Sequence, residues 1–307
     1  MEGILLFYKP VGWTNKHIVG FLKKTLRVSK LGHAGTLDPF AEGLMVVGIG
    51  RKYTRSLHAL LTGSRKEYLA TIELGKISDT FDPVGTIIET GQHIHPSTHI
   101  IRTVIDEHLL GERTQVPPIY SAKKFGGKRL RDIATKEDAH VLAATRTKTV
   151  VLYDYDIVSY AYPLLTIRLS VSSGYYIRTF GNSLGELLGT GAYCKELKRT
   201  RINEHSVDDA LLPDDLHGTI EVQGTLIGAV QCVGYRYHLK DLADRYSLTG
   251  STQNMPDGSL SFLIQGPIRS LSLFLKFVHH GPSLSRIDDY SFIIRKPRSP
   301  FSEFIVQ

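Results

Sequence analysis

Apolar and polar positions along the chain mark out its elements. Residues 3–8 read as a buried strand closed by Lys9-Pro10. Thr14 or Asn15 can cap a helix in which Ile18, Val19, Leu22 and Leu26 recur at helical spacing. The unbroken apolar run at 44–49 predicts another strand, and a basic helix is expected from Lys52 to Leu61. Residues 66–74 alternate like a half-buried strand and stop at Gly75. Further helices are expected near 99–110, 128–138 and 177–188, and strands near 148–158 and 164–172. The mixture is α+β with several antiparallel pairings.

The pattern changes at Leu211-Leu212-Pro213-Asp214-Asp215-Leu216-His217-Gly218, where residues 213–217 read as a linker between residues 1–212 and 218–307. Beyond it come a strand at 219–229, a glycine-containing turn, and a helix from Arg236 to Tyr246. Two strands then flank Pro256-Asp257-Gly258, followed by a helix near 268–279 and a strand at 287–295. That βαββαβ order is the split βαβ arrangement of ferredoxin-like folds.

Composition narrows the classes. No apolar run approaches the length of a membrane span, and the first residues, Met1-Glu2-Gly3, lack the basic start of a secretory signal. Two distant cysteines, Cys194 and Cys232, argue against a disulfide framework and suit a reducing cytoplasm. The 13 histidines lack the spacing of metal ligands, so neither a metal nor another cofactor is expected. The net charge of +7 permits a polyanionic partner. Most of it is local: residues 113–148 hold nine Lys/Arg against three acids, interleaved with Tyr120, Phe125, Gly126 and Gly127. That composition suits a segment that contacts phosphates.

The chemistry centres on Gly32-His33-Ala34-Gly35-Thr36-Leu37-Asp38-Pro39-Phe40. Here a single carboxylate sits between a glycine-rich turn and a proline, ahead of an apolar run. Asp38 alone reads equally as a turn cap. Three further segments follow in order: Lys66-Glu67-Tyr68; Val116-Pro117-Pro118-Ile119-Tyr120-Ser121-Ala122-Lys123-Lys124 with Gly127-Lys128; and Ser173-Gly174-Tyr175-Tyr176-Ile177-Arg178-Thr179 with Leu184-Gly185 and Gly191-Ala192. Together they resemble pseudouridine synthases of the TruB type over roughly residues 3–205.

The resemblance implies a pseudouridine synthase fold, mixed and mainly antiparallel, with an RNA-gripping insertion at about 113–148. It implies Asp38 as nucleophile and Arg178 as its ion-pair partner, with Tyr68 stacked on the target base and Tyr176 beneath the same pocket. His33 is implied to contact the RNA and assist flipping, and Leu197 to line the uracil pocket. The implied substrate is the T-loop uridine 55 of tRNA, extruded from its stack. A monomer acting on the tRNA T-arm is expected. Where the family usually continues into a small RNA-binding C-terminal module, this chain carries a different segment, which leaves tRNA choice open.

Residues 228–236, Gly-Ala-Val-Gln-Cys-Val-Gly-Tyr-Arg, and 249–258, Thr-Gly-Ser-Thr-Gln-Asn-Met-Pro-Asp-Gly, with Gln265-Gly266-Pro267, resemble acylphosphatases. The resemblance implies Arg236 and the loop amides as a phosphate cradle and Asn254 as the group that positions the attacking water. The partner would then be a small acyl phosphate. Cys232 stands where that family has glycine and Ser251 where it has an aromatic residue. Two alternatives stay open: a non-catalytic RNA-docking module at the C-terminus, or a tRNA-binding or tRNA-folding factor throughout.

Overall fold

A computed structural model describes residues 2–116, 118 and 147–307, with the backbone of 124–125 and 128–129. The helix expected at 128–138 and most of the basic insertion, including Tyr120 and Phe125, lie outside the described residues. The chain forms two compact units. One comprises residues up to Leu37, Gly43–Leu61 and His205–Gln307; the other comprises Asp38–Glu42 and Thr62–Glu204. These units do not follow the chain order of the sequence pattern, because the first joins the N-terminal elements to the βαββαβ segment.

In the first unit, strands Thr219–Ala229, Thr249–Asn254, Leu260–Pro267 and Arg286–Arg295 carry helices Tyr235–Arg245 and Ile268–Phe277. The strands are ordered 249–254, 260–267, 219–229, 286–295, each antiparallel to its neighbour. This is the ferredoxin-like order. Short strand Phe304–Val306, which the sequence pattern did not reveal, extends one edge parallel to 249–254. The other edge continues into strand Gly3–Lys9, parallel to 286–295 with Ile4 opposite Ile293 and Leu5 opposite Ile294. Gly3–Lys9 pairs on its far side with Glu42–Ile49, Leu6 facing Val46, and Leu31–Ala34 completes that side. Paired on both sides, Leu5, Leu6 and Phe7 are buried.

Helix Asn15–Leu26 starts at Thr14, whose hydroxyl accepts from the His17 N–H, and it buries Ile18, Leu22 and Leu26. The expected linker holds a 3₁₀ turn at Asp214–His217 with Leu216 buried. Just before it, Leu211 exchanges main-chain hydrogen bonds with Leu6 and Tyr8. Asp209 accepts two hydrogen bonds from Arg298, at 2.8 and 2.7 Å. Helix Arg51–Leu61 adds a clasp to strand 286–295. Lys52 pairs with Asp289 and lies 3.9 Å from the Tyr290 ring centre, while the Tyr53 hydroxyl accepts from the Phe292 N–H at 3.0 Å.

The second unit is built on an antiparallel sheet ordered Ala192–Ile202, Lys66–Leu74, Leu164–Val171, Lys148–Ala161, Gly111–Gln115. Helices Thr98–His108 and Ile177–Leu187 accompany it. Tyr68, Ala70 and Ile72 share one face of strand 66–74 by its period of two. Across the ladder they meet Arg199, Leu197 and Cys194. Helix 177–187 lies against this face at Gly181, where a Cβ would stand 3.0 Å from Ile72 Cδ1 and 3.5 Å from the Cys194 nitrogen.

Candidate active site

Asp38 follows a tight turn in which Gly35 adopts φ +70°, a backbone region glycine enters without penalty. Its main-chain oxygen accepts from the Ala41 N–H at 3.1 Å. Arg178, three residues before Gly181 and on the same side of helix 177–187, is only 2% exposed. Its Nε lies 3.0 Å from Asp38 Oδ2. Its Nη1 lies 2.8 Å from Asp82 Oδ2 and donates to the Thr80 carbonyl at 3.1 Å. One guanidinium thus spans two carboxylates.

Asp82 is itself buried and held. Its Oδ1 accepts from Thr80 Oγ1 at 2.6 Å and from the Val84 N–H at 3.0 Å. A charge taken from water needs partners and hydrogen bonds to persist. The Arg178–Asp82 pair meets that requirement, so the guanidinium presents a fixed edge to Asp38. The sequence reading missed Asp82. Its signal was a second Asp-Pro pair, Asp82-Pro83, placed after a strand and repeating Asp38-Pro39.

Tyr68 and Leu197, each 7% exposed, lie on the sheet face that helix 177–187 covers. Tyr176 is the residue before that helix, and Gln115 clasps its backbone. Gln115 Oε1 accepts from the Tyr176 N–H at 2.9 Å, and its amide donates back to the Tyr176 carbonyl at 3.4 Å. The preceding turn is crowded: Gly174 has φ +88°, and a Cβ there would fall 2.2 Å from Lys148 Nζ. Asp38, Tyr68, Tyr176, Arg178 and Leu197 all belong to the second unit, whereas His33 belongs to the first, opposite Val47 on strand 31–34. Cys194 is wholly buried on the sheet face, and burial pushes its thiol pKa up, so it stays protonated.

In the first unit, residues 230–234 join strand 219–229 to helix 235–245. Cys232 there is exposed at φ +59°, and Gly234 caps the helix at φ +79°. The Gln231 amide donates to the Met255 and Ser259 carbonyls, both at 2.8 Å, tying the loop to the hairpin turn after Asn254. Asn254 Oδ1 is buried without a hydrogen-bond partner among the described residues. Arg236, half-buried, donates to the main-chain oxygen of Gln307. Ser251 lies on strand 249–254 opposite Leu263.

Residues 23–177 match the model of the TruB family of pseudouridylate synthases, N-terminal domain. The chain is 41% identical over 210 residues to tRNA pseudouridine synthase B of Chlamydia abortus, covering 68% of this chain and 86% of that protein. The chain belongs to the TruB family. Its match to tRNA pseudouridine synthase B of Thermosipho melanesiensis is 38% over 232 residues, 74% of each chain. Among solved structures, a chain of a Cbf5-Nop10-Gar1 complex aligns with a TM-score of 0.52 and 29% identity, over 70% of this chain and 53% of that one. This TruB-family chain is therefore an isomerase of the pseudouridine synthase kind. Residues 222–306 match the acylphosphatase family model, so its C-terminal part is an acylphosphatase-like domain. Among the described residues, no helix is long and apolar enough to cross a membrane.

Proposed function

We propose that the chain converts the T-loop uridine 55 of tRNA to pseudouridine, with residues 1–212 as the synthase part and Asp38 as nucleophile. The observation that carries this is the buried Arg178 guanidinium, set 3.0 Å from Asp38 and anchored behind by Asp82. A carboxylate held in one orientation can attack the nucleoside and later leave, forming and releasing a covalent adduct. The bond from uracil N1 to the sugar breaks, the base turns, C5 joins the sugar, and the proton lost from C5 is matched by one gained at N1. Tyr68 supplies a flat face for the extruded base, an interaction of about 1–3 kcal/mol. Tyr176 closes the pocket from the helix start, Leu197 lines it, and His33 engages the RNA. The relatives' name, tRNA pseudouridine synthase B, supports tRNA as the substrate.

The test is direct. Unmodified tRNA is incubated with wild type and with Asp38→Asn, and pseudouridine is mapped by position. Site-specific product from wild type alone supports the reading. Equal background from both leaves a tRNA-binding or tRNA-folding factor in its place.

A second reading concerns residues 218–307. The unpartnered Asn254 Oδ1 favours a water or ligand site in the acylphosphatase-like domain, with Arg236 as the phosphate-binding group. Hydrolysis of a small acyl phosphate by wild type, lost in Arg236→Ala, would support it. Identical rates would leave a docking module.

A further inference from the structure

Lys66 and Lys148 converge on one turn of the second unit. Lys66 opens strand 66–74, is 7% exposed, and shares a face with Tyr68 two residues on. Its Nζ donates to Ser173 Oγ at 3.3 Å, and Lys148 Nζ donates to the Ser173 carbonyl at 3.1 Å. Arg199, fully buried, stands opposite Tyr68 on the neighbouring strand. Burial, followed by the charges of Arg199 and Lys148, pushes the Lys66 ammonium down to about 8. Both neighbours therefore act on Lys66 as repelling charges.

The contrast with Arg178 is informative. Arg178, five residues beyond Ser173, is given two carboxylates. Among the described residues, no carboxylate lies within ion-pair distance of Lys66 or Lys148, whose polar contacts are both to Ser173. A hydroxyl and a carbonyl satisfy donors but do not offset like charges. Buried ammonium groups are as a rule paired, and two gathered lysines without a carboxylate leave room for an anion from outside. The Lys66 side chain lies on the Tyr68 face, where an extruded nucleotide would bring its own phosphate.

We propose that Lys66 and Lys148, gathered at the Ser173–Gly174 turn beside Tyr68, receive a phosphodiester of the RNA whose uridine enters the pocket. The proposal rests on the RNA-modifying reading given above. Ammonium groups suit this role as point charges, since the phosphate needs no planar fork. Arg199 adds to the local potential from behind the pair.

The experiment measures binding of a labelled tRNA T-arm stem-loop to the Asp38→Asn protein across a range of salt. The lysines are either left intact or replaced as Lys66→Gln or Lys148→Gln. Each replacement is expected to flatten the slope of log affinity against log salt by about 1. Lys66→Arg, which keeps the charge, should restore the slope. A second arm places an uncharged methylphosphonate at each phosphodiester flanking the target uridine. At one position the modified RNA should bind more weakly to the intact pair and no more weakly still to Lys66→Gln.

Unchanged slopes in variants that melt like the parent protein would overturn the proposal and leave the lysines as clamps on the turn. Indifference to both methylphosphonates would also overturn it. Pseudouridine formation by wild type on the same stem-loop reports the underlying reading separately. Product with unchanged slopes sinks only the phosphate site; flattened slopes without product sink only the enzyme.

Discussion

Arg178 and Arg236 each occupy the second position of an eleven-residue helix, at Ile177–Leu187 and Tyr235–Arg245. Their surroundings are opposite. Arg178 is 2% exposed and touches two carboxylates, one of them buried. Arg236 is half-buried, has no Asp or Glu side chain as partner among the described residues, and donates to the oxygen of Gln307. A guanidinium with its counter-charges built in is a fixture whose orientation is settled before substrate arrives. One without them is suited to an incoming anion. The same residue at the same helical position is thus held by side-chain carboxylates in one unit and left without them in the other.

The hardest test of that contrast removes the held arginine. Arg178→Met should reduce pseudouridine formation to background. It should also cost about 3–5 kcal/mol of stability, because Asp82 would remain buried without its cation. Thermal melting reads the second effect, and a variant that melts like wild type would erase the distinction. Arg236→Ala should do the reverse, shifting stability by no more than about 0.5 kcal/mol. If the domain hydrolyses acyl phosphates, the same change should slow that reaction about 10²–10³-fold.

A smaller effect sharpens the reading of the Arg236 site. Cys232 holds φ +59°, a region that costs a residue bearing a Cβ about 1–2 kcal/mol. Glycine recovers that cost but gives back part of it in chain entropy. Cys232→Gly should therefore stabilise the protein by about 0.5 kcal/mol, read as a higher denaturant midpoint at constant slope. A lower midpoint would mean that the thiol makes compensating contacts.

The smallest effect concerns the ties of the first unit. Hydrogen bonds from Arg298 hold the Asp209 carboxyl below its usual range, against the opposing influence of burial. A depressed carboxyl contributes stability above its unfolded pKa and loses it as pH falls through the folded one. Wild type should exceed Arg298→Gln by about 0.5 kcal/mol at neutral pH, with the two converging below about pH 4. A gap that persists in acid would assign the effect to packing.

Much of this was legible in the sequence, for identifiable reasons. Helix Asn15–Leu26 carries its cap at Thr14 and its apolar stripe in plain view. Three of the four ferredoxin-like strands carry apolar runs, and turn residues separate them, whereas Thr249–Asn254 is polar throughout. Strand Ala192–Ile202 was not seen, because register shifts between Cys194 and Glu196 and between Arg199 and Arg201 break its alternation. A wholly buried Arg199 within it also contradicts the usual inside–outside code. Strand Gly111–Gln115 is polar throughout except at Gly111 and is recognisable only by its partner, 148–161. At the site, Asp38 and Arg178 were found through family-like motifs, whereas Asp82 resembled an ordinary turn. The partner of strand Gly3–Lys9 could not be read locally, since pairing across such a separation leaves no periodic trace.

That pairing has a consequence for synthesis. Ile4 and Leu5 leave the ribosome long before their parallel partners, Ile293 and Ile294. The second unit ends at Glu204 and has all of its residues in hand well before that point. Contacts of such long sequence separation form late and slowly. The nascent strand therefore carries an apolar, unpaired edge through most of translation, and the unit that begins first is the last to be completed.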